Sequence, residues 1–190
     1  MSADLFHADH GIHQIDEFSH RLRESLSRLS RESRRIEANV SVVEGLYFSF
    51  DTEGGQTDLT CCSNNGFAVS GRISGAPRWC SLNMDLGQTL LEAGQVIGIA
   101  ARLTSPAGLQ MPLSIRSALP GGELADTFLD GTLRGDAGGT AQVVLHHITP
   151  DMPACGLVAW HTLVLGLPPG PLEFTFTDLR VFSARSYSAG

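Results

Sequence analysis

From Ile15 onward every seventh residue is large and apolar: Ile15, Leu22, Leu29, Ile36 and Val43. A second series, Ile12, Ser19, Leu26, Ser33 and Val40, takes the other seam position of a heptad repeat. The residues between them are mostly arginine, glutamate and serine, so the apolar groups form a narrow stripe. A strict seven-residue period keeps such a stripe facing a partner only when helices supercoil. The pattern predicts one helix over 12–45, stopped at Gly45 and on the order of 48 Å long at 1.5 Å per residue. It is a coiled coil associating through Ile15, Leu22, Leu26, Leu29, Ile36, Val40 and Val43. Serine at two a positions, and Glu32 and Glu37 placed to repel in register, argue against a plain parallel dimer. A homo-oligomer follows, with a trimer favoured. The alternative is an amphipathic helix lying on its own domain, which ordinarily shows a broader stripe of period 3.6.

Around this helix the chain divides into a polar arm at 1–11, an antiparallel β-sandwich at 46–184 and a tail at 185–190. In the sandwich region the period changes to two. Cys80, Leu82, Met84 and Leu86 fall on one face of a strand, Trp79, Ser81, Asn83 and Asp85 on the other. Similar short runs occupy 96–103, 113–119, 141–148, 157–165 and 172–182, separated by turn clusters such as EGG, SPAG, PGG, GDAGG and LPPGP. Many short strands with no helix between them predict a mainly β fold, a sandwich or barrel. In the last run Leu172, Phe174 and Phe176 hold one parity while Leu179 and Val181 hold the other, which predicts a β-bulge near Thr177–Asp178.

Charge narrows the partners. The chain carries a net −7, and its thirteen basic residues are all arginine. Beyond residue 44, seven arginines face twelve acidic residues, the wrong balance for a phosphate backbone or an anionic membrane surface. No basic start followed by an apolar run opens the sequence, and no apolar stretch reaches spanning length. The expectation is synthesis in the cytoplasm without a signal peptide. There Cys61, Cys62, Cys80 and Cys155 are thiols acting as small core residues.

The stretch from Tyr47 to Phe182 resembles jelly-roll carbohydrate-binding modules. The residues that carry the likeness are WCSLNMDLGQTLLEAGQVIGIAARL at 79–103 and GPLEFTFTDLRVF at 170–182. The resemblance implies a jelly-roll sandwich that recognises a polysaccharide. A helical stem bearing such a module is similar to the spikes and fibres of tailed phages and gene-transfer-agent particles. That likeness implies display on a phage-like particle, with capsid or other particle proteins held through the N-terminal arm. Several copies on one stem would raise the avidity of a weak site by about 10²–10⁴.

A sugar site needs an aromatic platform for the C–H face of the ring and hydrogen-bonding groups at its edge. Trp79 and Trp160 are the candidate platforms. Arg72, Arg78, Asn83, Arg102 and Arg116 are the candidates for the polar rim. Asp178 matches the place where jelly-roll modules hold a structural calcium, and Asp51, Glu53 and Asp58 are its candidate partners. The sequence does not show that these oxygens converge. His7, His10 and His13 recur every third residue and would share a helix face. His146 and His147 are adjacent and so point to opposite faces of a strand. His161 reads as a buried, hydrogen-bonded histidine. No G-x-S-x-G elbow, phosphate-cradling loop or H-E-x-x-H helix is present. The carboxylates Glu123, Asp126, Asp130 and Asp136 sit in what reads as loops.

The expected function is non-catalytic glycan recognition. A structural adaptor without sugar affinity and a glycan-active enzyme are the two alternatives.

Overall fold

The structure is a computed structural model that describes residues 4–185, with side chains from Gln14 onward. The His7, His10 and His13 side chains and the tail beyond Arg185 lie outside the described residues. One helix, α1 (Asp4–Ser27), precedes the strands β1 (Arg34–Arg35), β2 (Ser41–Val43), β3 (Leu46–Phe50), β4 (Gly55–Ser63), β5 (Phe67–Gly75) and β6 (Cys80–Leu90). These are followed by β7 (Gln95–Thr104), β8 (Leu109–Ala118), β9 (Leu124–Gly135), β10 (Ala141–His147), β11 (Val158–Gly166) and β12 (Gly170–Arg185). Sheet A runs β1-β4-β5-β12-β7-β10 and sheet B runs β2-β3-β6-β11-β8-β9. Every strand pairing within them is antiparallel. From β5 to β8, and again from β9 to β12, each strand lies near its successor only by crossing between sheets or turning at a hairpin, the winding of a jelly roll.

Alternation drives one parity of each strand into the space between the sheets. Phe48, Leu82, Met84, Ile115, Leu163 and Leu165 come from sheet B, and Leu59, Phe67, Val69, Ile99, Phe174 and Val181 from sheet A. The bulge expected near Thr177–Asp178 is present, as a register shift between Phe176 and Asp178 against β7. Cys61 and Cys80 are buried and all four cysteines are free thiols. Burial pushes the Cys80 thiol up to about 12.

The helix is the main correction. It starts at Asp4, inside the expected arm, and stops at Ser27, halfway through the heptads. Serine ends it. The Ser27 hydroxyl bonds back to Glu24 O, the last backbone bonds (Arg28 N–H to Ser25 O, Leu29 N–H to Leu26 O) tighten to three-residue spacing, and Ser30 Oγ caps Glu32 N–H. Each offers the backbone an alternative to the helical ladder. Asn39 then takes a left-handed φ of 60°. The heptad residues are spent within their own chain: Ile15, Leu22 and Ile36 are buried, and Leu26, Leu29 and Val43 pack against the same core. Val40, 52% exposed, is the exception. The buried heptad residues are therefore not free to form the seam of a coiled-coil stalk.

What α1 does follows from two strands that stop short. β5 pairs with β12 only as far as Phe176, and β3 pairs with β6 only from Cys80 to Met84. Both partners run on, each with one unpaired edge. The helix packs across β12 and β6. Ser19 Oγ accepts the Val181 N–H at 3.1 Å, Asp16 Oδ1 accepts the Ser183 N–H at 3.5 Å, and the Phe18 ring fills the space where a Cβ on Gly45 would fall. A serine that would weaken a coiled-coil seam is therefore an acceptor for an open strand edge.

His161 lies fully buried between the sheets. Its Nδ1 meets the Ser117 hydroxyl at 2.9 Å and its Nε2 meets Thr89 O at 3.2 Å.

Candidate functional site

The outward face of sheet B can be read from its registers. Tyr47, Asn83, Val164, Ser114 and Phe128 stand side by side across β3, β6, β11, β8 and β9. One step toward Trp79 lie Ser49, Ser81 and Gly166; one step the other way lie Asp85, Thr162, Arg116 and Asp126. Ser81 and Asn83 point outward yet are only 7% and 4% exposed. Ser81 lies on the floor of a groove of about 700 Å³, with Ser49, Ser114 and Val164 beside it, whose walls include Trp79, Arg116, Asp126 and Phe128. Ser81 Oγ donates to Asn83 Oδ1 at 3.2 Å, and Asn83 Nδ2 donates back to Ser81 O at 3.5 Å.

Trp79 and Phe128 are 48% and 76% exposed. An aromatic ring held in water on a sheet face forfeits the stabilisation that burial would bring. Trp79 is held by what lies behind it. The buried carboxylate of Asp51 accepts from the Arg78 backbone N–H at 3.1 Å, Nε at 2.9 Å and Nη2 at 3.2 Å, and from the Glu53 N–H at 3.0 Å. Arg78 in turn lies 4.9 Å over the Trp79 ring, a cation–π contact that occupies one face of the indole. The Arg78 guanidinium holds the Asp51 carboxyl far below the usual carboxylate range. Asp51→Asn is expected to flatten the near-ultraviolet dichroism of Trp79.

On the opposite wall Arg116 donates through Nε and Nη2 to both oxygens of Asp126, each at 2.7 Å. This fork lowers the Asp126 pKa and raises that of Arg116.

Of the residues expected to form the site, Trp79, Arg78 and Arg116 meet in this groove, while Asn83 is on the same sheet face, bonded to Ser81 but outside the lining. Trp160 is on the same face but farther along, 49% exposed. Arg72 and Arg102 are on the outer face of sheet A, where Arg72 pairs with Asp58 and Arg102 with Asp178 in register. They have the whole sandwich between them and the groove. The calcium set does not converge either. Asp51 and Glu53 are bonded to Arg78, whereas Asp178 pairs with Arg180 at 2.8 Å. Asp51 stands by the Gly75 end of β5 and Asp178 by the Phe67 end, about 25 Å away at ~3.3 Å per residue. Among the described residues no three histidine, cysteine or acidic side chains gather as a metal site. Phe128 and the role of Asp126 were not expected. The signal was the alternation Leu124, Asp126, Phe128 in a segment that reads as a loop.

No protein-family model matches the sequence, and no curated protein matches it. Solved structures do. An apo form cyclase from Fischerella sp. superposes with a TM-score of 0.51 at 11% identity, covering 85% of this chain and 91% of that one. The CBM22-1 xylan-binding domain of Paenibacillus barcinonensis Xyn10C gives 0.46 at 7% identity over 82% and 87% of the two chains. The xylan-binding module CBM15 gives 0.45 at 12% identity over 83% and 100%. At such identities the likeness to the cyclase is one of fold.

Proposed function

We propose that the groove on sheet B binds a neutral glycan and does not cleave it. The observation that carries this reading is the pair of exposed aromatic walls, Trp79 and Phe128, above a floor of uncharged polar groups. Sugars are recognised by such a combination: C–H faces stack on rings while hydroxyls exchange hydrogen bonds with the floor. Neutrality of the ligand follows from charges already satisfied. Arg78 is committed to Asp51 and Glu53, and Arg116 to Asp126, so neither guanidinium is left unpaired to attract a uronate or a sulfate.

Binding without cleavage follows from the carboxylates. Glycoside hydrolysis ordinarily uses two facing carboxyl groups, one of them held protonated as an acid. Among the described residues lining the groove, Asp126 is the sole carboxylate, and its partner Arg116 favours the ionised form.

A glycan array followed by calorimetry tests the reading. Trp79→Ala should lower the affinity about 30-fold, the loss of a hot-spot contact of about 2 kcal/mol, without altering the far-ultraviolet dichroism. Unchanged affinity, or silence of the parent chain across neutral glycans, would overturn it. Silence would favour the adaptor reading, for which Val143 and Leu145 supply an exposed apolar pair on sheet A.

A further inference from the structure

We infer that the same face carries a second sugar station at Trp160, so that the protein prefers long chains to short ones; this holds only if the groove binds glycans as proposed above. The chain has two tryptophans, and both stand half exposed on the outward face of sheet B, near its opposite ends. Trp160 shares the outward parity of Thr162 and Val164, with Gln88 beside it on β6 and Ala118 on β8. Small Ala118 gives the indole no cover. On its other side the ring borders a recess of about 200 Å³ shared with Phe18, Arg21, Glu44, Asp85 and Gly87. That is a platform with polar edges, the same combination met at Trp79.

The surface between the two indoles is continuous. Ser81, Asn83, Val164, Thr162 and Asp85 succeed one another along β6 and β11 from the first station to the second. A register shift between His161 and Thr162 marks an irregularity in β6 beside Leu86, after which Gln88 again faces outward. Trp160 thus keeps to the ligand-facing side. From Trp79 to Gln88 is nine residues, so at ~3.3 Å per residue the stations lie roughly 30 Å apart, the reach of about six sugar units. A shorter oligosaccharide touches one platform. A chain that spans both converts the second contact into an intramolecular one and gains affinity without any new site.

Because each station holds its own fluorophore, occupancy can be followed separately. Size-graded xylo-, cello- and manno-oligosaccharides, from disaccharides to octasaccharides, are titrated against the full chain and the variants Trp79→Phe, Trp160→Phe and Trp160→Ala. In Trp160→Phe the remaining indole should respond to trisaccharides. In Trp79→Phe the remaining indole should respond only to hexasaccharides and longer. Trp160→Ala should weaken hexasaccharide binding by about tenfold or more, down to the level of the trisaccharide. Its trisaccharide affinity should match that of the parent, which shows that the groove is intact. A hexasaccharide that leaves Trp160 emission unmoved, or Trp160→Ala with full hexasaccharide affinity, overturns the second station and leaves the groove standing. No binding by any series at any length overturns both.

Discussion

Leu22→Ala should destabilise the folded chain by about 3–4 kcal/mol and leave its mass in solution unchanged. Leu22 is fully buried, on the face of α1 that covers β12 and β6. Truncation there removes a side chain from a closed interior and leaves a cavity that the two sheets cannot collapse to fill, a change that ordinarily costs 2–5 kcal/mol. Val40→Ala, at an exposed heptad position, should fall within about 0.5 kcal/mol of the parent. Urea midpoints and sedimentation together separate this from the stalk expected of the heptads. A seam residue would change subunit number before it changed the unfolding of each subunit. If Leu22→Ala kept its midpoint and lost subunits, the helix would have to be returned to the coiled-coil account.

Acid should weaken the fold through His161. Thr89 O can only accept, so Nε2 carries the ring proton and Nδ1 accepts from the Ser117 hydroxyl. The neutral imidazole therefore has both nitrogens satisfied, and a second proton would put a charge on a fully buried ring. Burial lowers its pKa to about 4 from 6.5. The unfolded chain takes up the proton first. Stability is thus complete above pH 6.5 and declines as the pH falls toward 4, by about 3 kcal/mol in all. His146, also lowered by burial, adds to the loss in the same direction. Asp51 does not contribute in this window, because its carboxyl stays ionised well below its ordinary 3.8. Denaturation midpoints at pH 7 and pH 4.5 measure the effect. His161→Gln should be less stable throughout but should vary less between the two. A parent chain equally stable at both would refute the assignment.

Which parts of this were legible in the sequence depended on how local the signal was. The alternation from Trp79 to Leu86 is a property of one strand, and it correctly set Trp79, Ser81 and Asn83 on the side away from the core. Arg102 and Arg116 carry the same local signal, a charge interrupting an apolar strand. Yet one lies on β7 in sheet A and the other on β8 in sheet B, and strand-to-sheet assignment is fixed by distant pairings. Phe128 was hidden because β9 is bracketed by PGG and GDAGG and carries Gly131 inside it. That glycine is there for a different reason: a Cβ would meet the Val144 side chain at 2.2 Å, where β10 crosses close by. The heptads misled for a geometric reason. Periods of 3.5 and 3.6 diverge by only ~20° per heptad, so a helix as short as α1 cannot distinguish a supercoil seam from a stripe that packs on its own domain. The apolar residues beyond Ser27 continued the series by coincidence, since Ile36 and Val43 serve short edge segments.

The bond from Val181 to Ser19 joins residues 162 apart. During synthesis the β12 edge that α1 covers arrives roughly 10–30 s after α1 itself, at about 5–20 residues per second. Until then the helix has only β6 to dock on, and a helix of this length is marginal in water by itself. The earliest and latest described elements thus hold each other in place. A nascent chain stalled before β12 would present β7 without its central neighbour and α1 with only the β6 part of its seat. Such a chain would depend on the cell's holding machinery more than its modest size suggests.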